Sequence, residues 1–161
     1  MKNKTPRDRR NSLWATMEKE TQKNARTKDK SFVLSGPWKK FVRKINGYKV
    51  CHVNGSWVRH NLSSYFGHGG HGMVHEFIPL NEIWISTHHP YEGKGSIANC
   101  ACKLRRKGQK MSLNYFNSTV LHEITECNQM KKGKIYWAAH NIALEAERDS
   151  GLLKDPYSDL T

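Results

Sequence analysis

Residues 112–131 have the sequence SLNYFNSTVLHEITECNQMK, and residues 135–151 have the sequence IYWAAHNIALEAERDSG. In both stretches apolar side chains recur three or four positions apart, the spacing that places them on one face of an α-helix. The basic and glycine residues of Lys131-Lys132-Gly133 are typical of a helix C-terminus. The sequence therefore predicts two antiparallel helices joined by a very short turn.

The first of these helices contains the motif His122-Glu123-Ile124-Thr125-Glu126. Residues four apart lie on one helical face, so His122 and Glu126 can reach the same ion, and Glu123 stands beside them. Two ligands and a neighbouring carboxylate that takes a proton from metal-activated water are the elements of a hydrolytic zinc site. We predict that His122 and Glu126 bind zinc and that Glu123 is the catalytic base.

A third ligand is expected from the second helix. If the turn is centred near Lys132, His122 faces Ile142 and Glu126 faces Ala138, and His140 falls between them. Glu147 lies about two turns farther along, so we predict His140 as the ligand and Glu147 as a residue that supports the ligands. The alternative is that these side chains form ordinary hydrogen bonds or face solvent.

The sequence upstream of the helices predicts β-structure. Residues 45–59 alternate in polarity around Asn54-Gly55, a pair that favours a type I′ hairpin turn, and Glu82–Ser86 is a third candidate strand. The prediction is an α+β fold, in which a small antiparallel sheet at about 45–86 packs on the helical hairpin. The folded domain is expected to span residues 31–151.

Other metal-binding side chains lie outside the helices. The loop at 67–72 is rich in glycine and histidine and is typical of a turn-rich connector; the alternative is that His71 or His75 lines the same cleft as the predicted ligands. The four cysteines are expected to be free thiols, with a four-cysteine zinc site as the alternative. His88-His89 could belong to a metal nuclease, but no partner motif follows at the appropriate spacing. The cysteines are Cys51, Cys100, Cys102 and Cys127.

Positive charge is concentrated at the N-terminus. The chain has a net charge of +13, and residues 1–50 carry 15 Lys and Arg against 4 Asp and Glu. We predict a flexible or partly helical basic arm at 1–30, a long basic loop at 87–110 and a C-terminal tail at 152–161. Both basic segments could contact nucleic-acid phosphates. The candidate contacts are Arg7, Arg9, Arg10, Lys103, Arg105, Arg106 and Lys107.

The distribution of apolar residues along the sequence indicates where the protein acts. No apolar run approaches the 18 or so residues that a membrane-spanning helix requires, and the N-terminus lacks the apolar segment of a secretory signal. These features predict a protein of the cytoplasm, without a membrane partner.

Several motifs resemble the zincin-like metalloprotease-type domains of phage and bacterial proteins. They are LHEITE (121–126), Ala139-His140 with Glu147, the NGxWVR segment (54–59), GGHG (69–72) and FIPLNEIWI (77–85). In that family the active helix packs beside a sheet whose edge strand aligns a peptide. The resemblance implies that Glu82–Ser86 is this edge strand, that Glu123 is the base, and that the protein acts in a host cell. Glu126 replaces the second histidine of the common HExxH signature, and glutamate is also a zinc ligand.

Two functions follow from these features. The first is a zinc-dependent hydrolase, resembling a peptidase, that acts on a peptide or protein through metal-activated water. The alternative is a non-enzymatic protein that binds nucleic acid or a nucleoprotein through its basic segments and retains a degenerate zincin-like scaffold.

Overall fold

A computed structural model describes residues 35–90 and 108–153. The predicted arm at 1–30, the basic side chains at 103–107 and the tail from residue 154 onward lie outside the described residues. Seven secondary-structure elements occur within the described ranges, which confirms the α+β class and the two C-terminal helices. They are β1 (Lys39–Ile45), β2 (Tyr48–Val53), α1 (Gly55–Asn61), β3 (Gly69–His71), β4 (Glu82–Ser86), α2 (Leu113–Lys131) and α3 (Tyr136–Ser150).

The four strands form one sheet in the order β1-β2-β4-β3. The β1–β2 and β3–β4 pairs are antiparallel, whereas β2 and β4 are parallel. The prediction of a purely antiparallel sheet is therefore wrong. The long connection through α1 and β3 allows β4 to run in the same direction as β2, because parallel neighbours need a crossover.

The first hairpin turn lies at Asn46-Gly47 and not at the predicted Asn54-Gly55. Asn46 and Gly47 have φ values of +50° and +84°, as a type I′ turn requires. Asn54 instead caps α1, since its side chain accepts a hydrogen bond from the backbone N–H of Trp57. The segment after Asn54 is therefore a short helix, where the sequence pattern predicted a strand.

Apolar residues pack on both faces of the sheet. On one face, Val50 and Ile83 contact a core that includes Phe116 and Val120 of α2. On the other face, a second core covers Trp84 and includes residues of α1 and of the segment before β4. All five residues of β4 are buried, as expected for a strand covered on both faces.

The helices correspond closely to the prediction. The Ser112 side chain accepts a hydrogen bond from the backbone N–H of Tyr115 and caps α2, which extends to Lys131. Gly133, with φ of +98°, lies in the short turn, and Gly151, with φ of +68°, ends α3. α2 thus packs between the sheet and α3. No helix within residues 35–90 and 108–153 is long and apolar enough to cross a membrane.

Candidate metal centre

α2 presents the first two predicted ligands toward α3. His122 and Glu126 are both buried, and His122 Nε2 lies 3.0 Å from Glu126 Oε2. The two side chains occupy one helical face because they are four residues apart. The local geometry therefore matches the arrangement expected from the sequence.

α3 adds His140 at the same height. Its Nδ1 lies 2.8 Å from Glu126 Oε2, the same oxygen that faces His122. The His140 side chain is 21% exposed, whereas the Glu126 side chain is 4% exposed. The centre is thus closed on the α2 side and open to solvent beside His140.

Glu147 lies behind His122. Its Oε2 accepts a hydrogen bond from His122 Nδ1 at 2.8 Å, and its Oε1 accepts one from Ser118 Oγ at 2.8 Å. A ligand histidine that donates its second ring N–H to a carboxylate is a common arrangement around protein-bound metals, because it fixes the ring and its tautomer. Glu147 thus contacts His122 on the side away from Glu126.

The two carboxylates around His122 control its protonation. Burial by itself lowers the pKa of His122, but hydrogen bonds to Glu126 and Glu147 outweigh burial and hold the pKa well above its ordinary value. Hydrogen bonds from His122, His140 and His71 likewise overcome the effect of burial and hold the pKa of Glu126 well below its usual range. The two carboxylates therefore favour the protonated ring of His122, whose Nε2–H donates to Glu126 Oε2.

His71 reaches the centre from β3 and is fully buried. Its Nε2 donates a hydrogen bond to Glu126 Oε1 at 2.8 Å, and its Nδ1 accepts one from the backbone N–H of Met73 at 3.2 Å. The Met73 contact places the proton on Nε2 in the neutral ring. His71 therefore holds one oxygen of Glu126 and leaves Oε2 facing His122 and His140.

Backbone packing holds His71 in this position. A Cβ atom on Gly72 would lie 2.7 Å from the carbonyl oxygen of Ile78 and 2.8 Å from that of Pro79, so only glycine fits there. The sequence pattern predicts a connecting loop at this point, whereas the structure has the strand β3. The glycines that flank His71 were the available signal, since they permit this close packing.

Glu123 lies beside the centre and is 8% exposed. Its Oε2 is 3.9 Å from His71 Nε2. Burial and the neighbouring negative charge of Glu126 raise the pKa of Glu123 to about 7, against the lowering effect of the nearby histidines. A carboxyl group with this pKa can both accept and release a proton near neutral pH.

Within residues 35–90 and 108–153, two overlapping groups of side chains could hold a metal ion. One consists of His122, Glu126 and His140, and the other of His71, Glu123 and Glu126, with the ligand atoms of each group within 4.8 Å of one another. The first group suits zinc, which binds imidazole nitrogen and carboxylate oxygen in sites with three protein ligands. The second group is less suitable, because the Met73 N–H leaves His71 Nε2 protonated.

Among the remaining sequence candidates, Cys127 lies against His71, and a side-chain hydrogen bond joins the two. Cys51 and Cys127 are both free and buried, but they lie in different cores on opposite faces of the sheet, so a single four-cysteine site cannot include both. Cys100 and Cys102 lie outside the described residues. His68 Nε2 is 3.2 Å from His89 Nδ1, and this pair lies near Tyr115 at the start of α2.

No protein-family model, curated protein or solved structure matches this chain. Its function is therefore inferred from the chemistry of the centre.

Proposed function

We propose that the chain is a zinc-dependent hydrolase, resembling a peptidase, whose ligands are His122, Glu126 and His140. The observation that carries the proposal is that His122 Nε2 and His140 Nδ1 both approach Glu126 Oε2, at 3.0 and 2.8 Å. Buried nitrogen and oxygen atoms that converge in this way from two helices match the donor set of a catalytic zinc site. The zincin-like motifs of the sequence support the same function.

Glu123 supplies the acid–base chemistry of the proposed reaction. When bound in such a site, zinc lowers the pKa of water to about 7 and polarises a substrate carbonyl. Glu123 accepts the proton of the attacking water and delivers it to the leaving amine. Its position beside the ligands, one residue after His122, is consistent with this role.

The strand order of the sheet determines which strand could align a peptide substrate. The sequence implied that Glu82–Ser86 is the substrate-aligning edge strand, but β4 lies between β2 and β3 and has no free edge. β3 is an outer strand of the described sheet, but its residues Gly70 and His71 are buried, so it does not offer an open edge to a peptide. We propose that the substrate instead approaches beside His140, whose side chain is 21% exposed.

Metal content provides the direct test. We expect about one zinc per chain in untagged protein purified without chelator, and almost none in His122→Ala or His140→Ala. His60→Ala is the matched control, because His60 is exposed on α1 and its ring contacts Ser56. Elemental analysis by mass spectrometry measures the ratio. A wild-type chain that binds no zinc even when zinc is added would overturn the proposed function.

A second prediction concerns Glu147. Glu147→Gln should weaken zinc binding by about 10–100-fold, because the amide cannot match the charged acceptor that orients His122. Competition with a fluorescent zinc chelator measures the affinity. Glu145→Gln is the control, since Glu145 is an exposed carboxylate on the same helix. Equal affinity in the Glu147→Gln and Glu145→Gln variants would contradict the role assigned to Glu147.

A further inference from the structure

The β1–β2 hairpin carries a strongly basic surface. Residues 39–49 contain five Lys and Arg and no Asp or Glu. Lys39 is neutralised by a buried salt bridge to Glu82, with Nζ 2.6 Å from Oε1. The others are exposed, so the hairpin presents uncompensated positive charge. They are Lys40, Arg43, Lys44 and Lys49.

Two of these cations lie directly opposite each other. Lys44 pairs with Lys49 in the β1–β2 register, so their side chains leave the same face of the sheet. Like charges at facing positions of an antiparallel pair are destabilising. The stability of the fold therefore does not account for this pair of lysines. Their positive charge is complementary to an anion bound across the hairpin.

An exposed aromatic side chain lies beside this pair. Phe41 faces Cys51 in the register and is 55% exposed. It lines a pocket of about 380 Å³ with Ser35, Lys39, Lys49, Cys51 and Glu82. The volume is in the range of small-ligand sites, and the lining combines one ring with polar atoms at the base.

This surface is separate from the metal centre. Side chains alternate along β2, so Val50 faces α2, and Lys49 and Cys51 face the other side of the sheet. The pocket and the metal centre are thus on opposite faces. A ligand of the pocket does not need the zinc ligands, and loss of zinc does not remove the hairpin cations.

We propose that the hairpin binds single-stranded nucleic acid, with a base stacked on Phe41 in the pocket and flanking phosphates on Lys44 and Lys49. Stacking of bases on aromatic side chains, together with a basic track for the backbone, is how proteins bind single strands without sequence preference. A single strand fits better than a duplex. A base of a duplex can stack on Phe41 only after it has unpaired and unstacked from its neighbours, which costs free energy. The function is independent of hydrolysis.

Fluorescence anisotropy of a short labelled oligothymidylate with the full chain tests the proposal. Each lost phosphate contact should lower the slope of log affinity against log salt by about 0.7, which is about fivefold in affinity at about 0.1 M salt. The double variant Lys44→Gln/Lys49→Gln should therefore bind about 25-fold more weakly, with a slope smaller by about 1.4. Phe41→Ala should bind roughly tenfold more weakly, and Phe41→Tyr should bind as wild type.

Matched controls separate a local site from general charge. Lys132→Gln/Arg148→Gln removes the same charge from exposed positions at the ends of α2 and α3 and should leave affinity within about twofold. Equal losses in the two double variants would show attraction to net charge alone and would overturn the proposal. Tighter binding of a duplex of equal length, or no effect of Phe41→Ala, would also overturn it. Zinc content of each variant, expected to equal wild type, distinguishes this outcome from failure of the metal centre.

Discussion

Glu123→Gln is expected to lower peptide hydrolysis by about 100-fold or more while the chain still binds about one zinc ion. Glutamine keeps the size of the side chain but cannot accept a proton from water. The proposed ligands His122, Glu126 and His140 are unchanged, so metal content should not fall. Zinc content by mass spectrometry and cleavage of a quenched fluorescent peptide library, measured on one preparation, provide the two readouts.

Two outcomes distinguish the base from a structural residue. Glu145→Gln, an exposed change of the same type on α3, should keep full activity. A Glu123→Gln chain that binds zinc and cleaves as fast as wild type would show that Glu123 is not the base. Zinc loss in Glu123→Gln would instead place Glu123 among the ligands, in the group it forms with His71 and Glu126.

The helical half of the fold was predictable because its signals are local. The apolar period, the basic turn and Gly133 all lie within 40 or so residues, and they set both helices to within about one turn. Residue spacing placed His122 and Glu126 on one face, and the short antiparallel turn placed His140 opposite them. These three side chains meet in the structure because the turn leaves little freedom in helix register.

The strand pairing of the sheet was harder to predict, because it depends on contacts between segments that are far apart in the sequence. Two Asn-Gly pairs occur in residues 46–55, and each suits a hairpin turn. The Asn54 pair forms a helix cap because the chain must leave the sheet there and return as a strand parallel to β2. The three-residue strand β3 is too short to produce an alternating pattern, so the sequence did not reveal the strand that holds His71 against α2.

Three histidine rings converge on the carboxylate of Glu126. Glu126 accepts hydrogen bonds from three rings, with His71 on Oε1 and with His122 and His140 on Oε2. An imidazole has only two ring nitrogens and could not receive all three contacts. A carboxylate at position 126 therefore accommodates all three contacts, including the one from His71 of the sheet.

Glu126→Ala is expected to abolish zinc binding and to lower the free energy of unfolding of the metal-free chain by about 3–5 kcal/mol. Alanine removes the acceptor of three ring N–H groups, and those at His71 and His122 are then buried without their partner. Urea unfolding followed by circular dichroism in the presence of a chelator measures the stability change separately from metal loss.

Two control variants distinguish an effect at the metal centre from a general loss of stability. Glu126→Gln keeps the side-chain volume and an oxygen acceptor, so it should lose zinc but retain more stability than Glu126→Ala. Glu145→Ala, an exposed change on α3, should alter stability by no more than about 0.5 kcal/mol. Zinc binding by Glu126→Ala at wild-type affinity would remove Glu126 from the ligand set. Wild-type stability of the same variant would show that the three histidines do not depend on it for folding, and that the convergence on Glu126 is not what holds α2, α3 and β3 together.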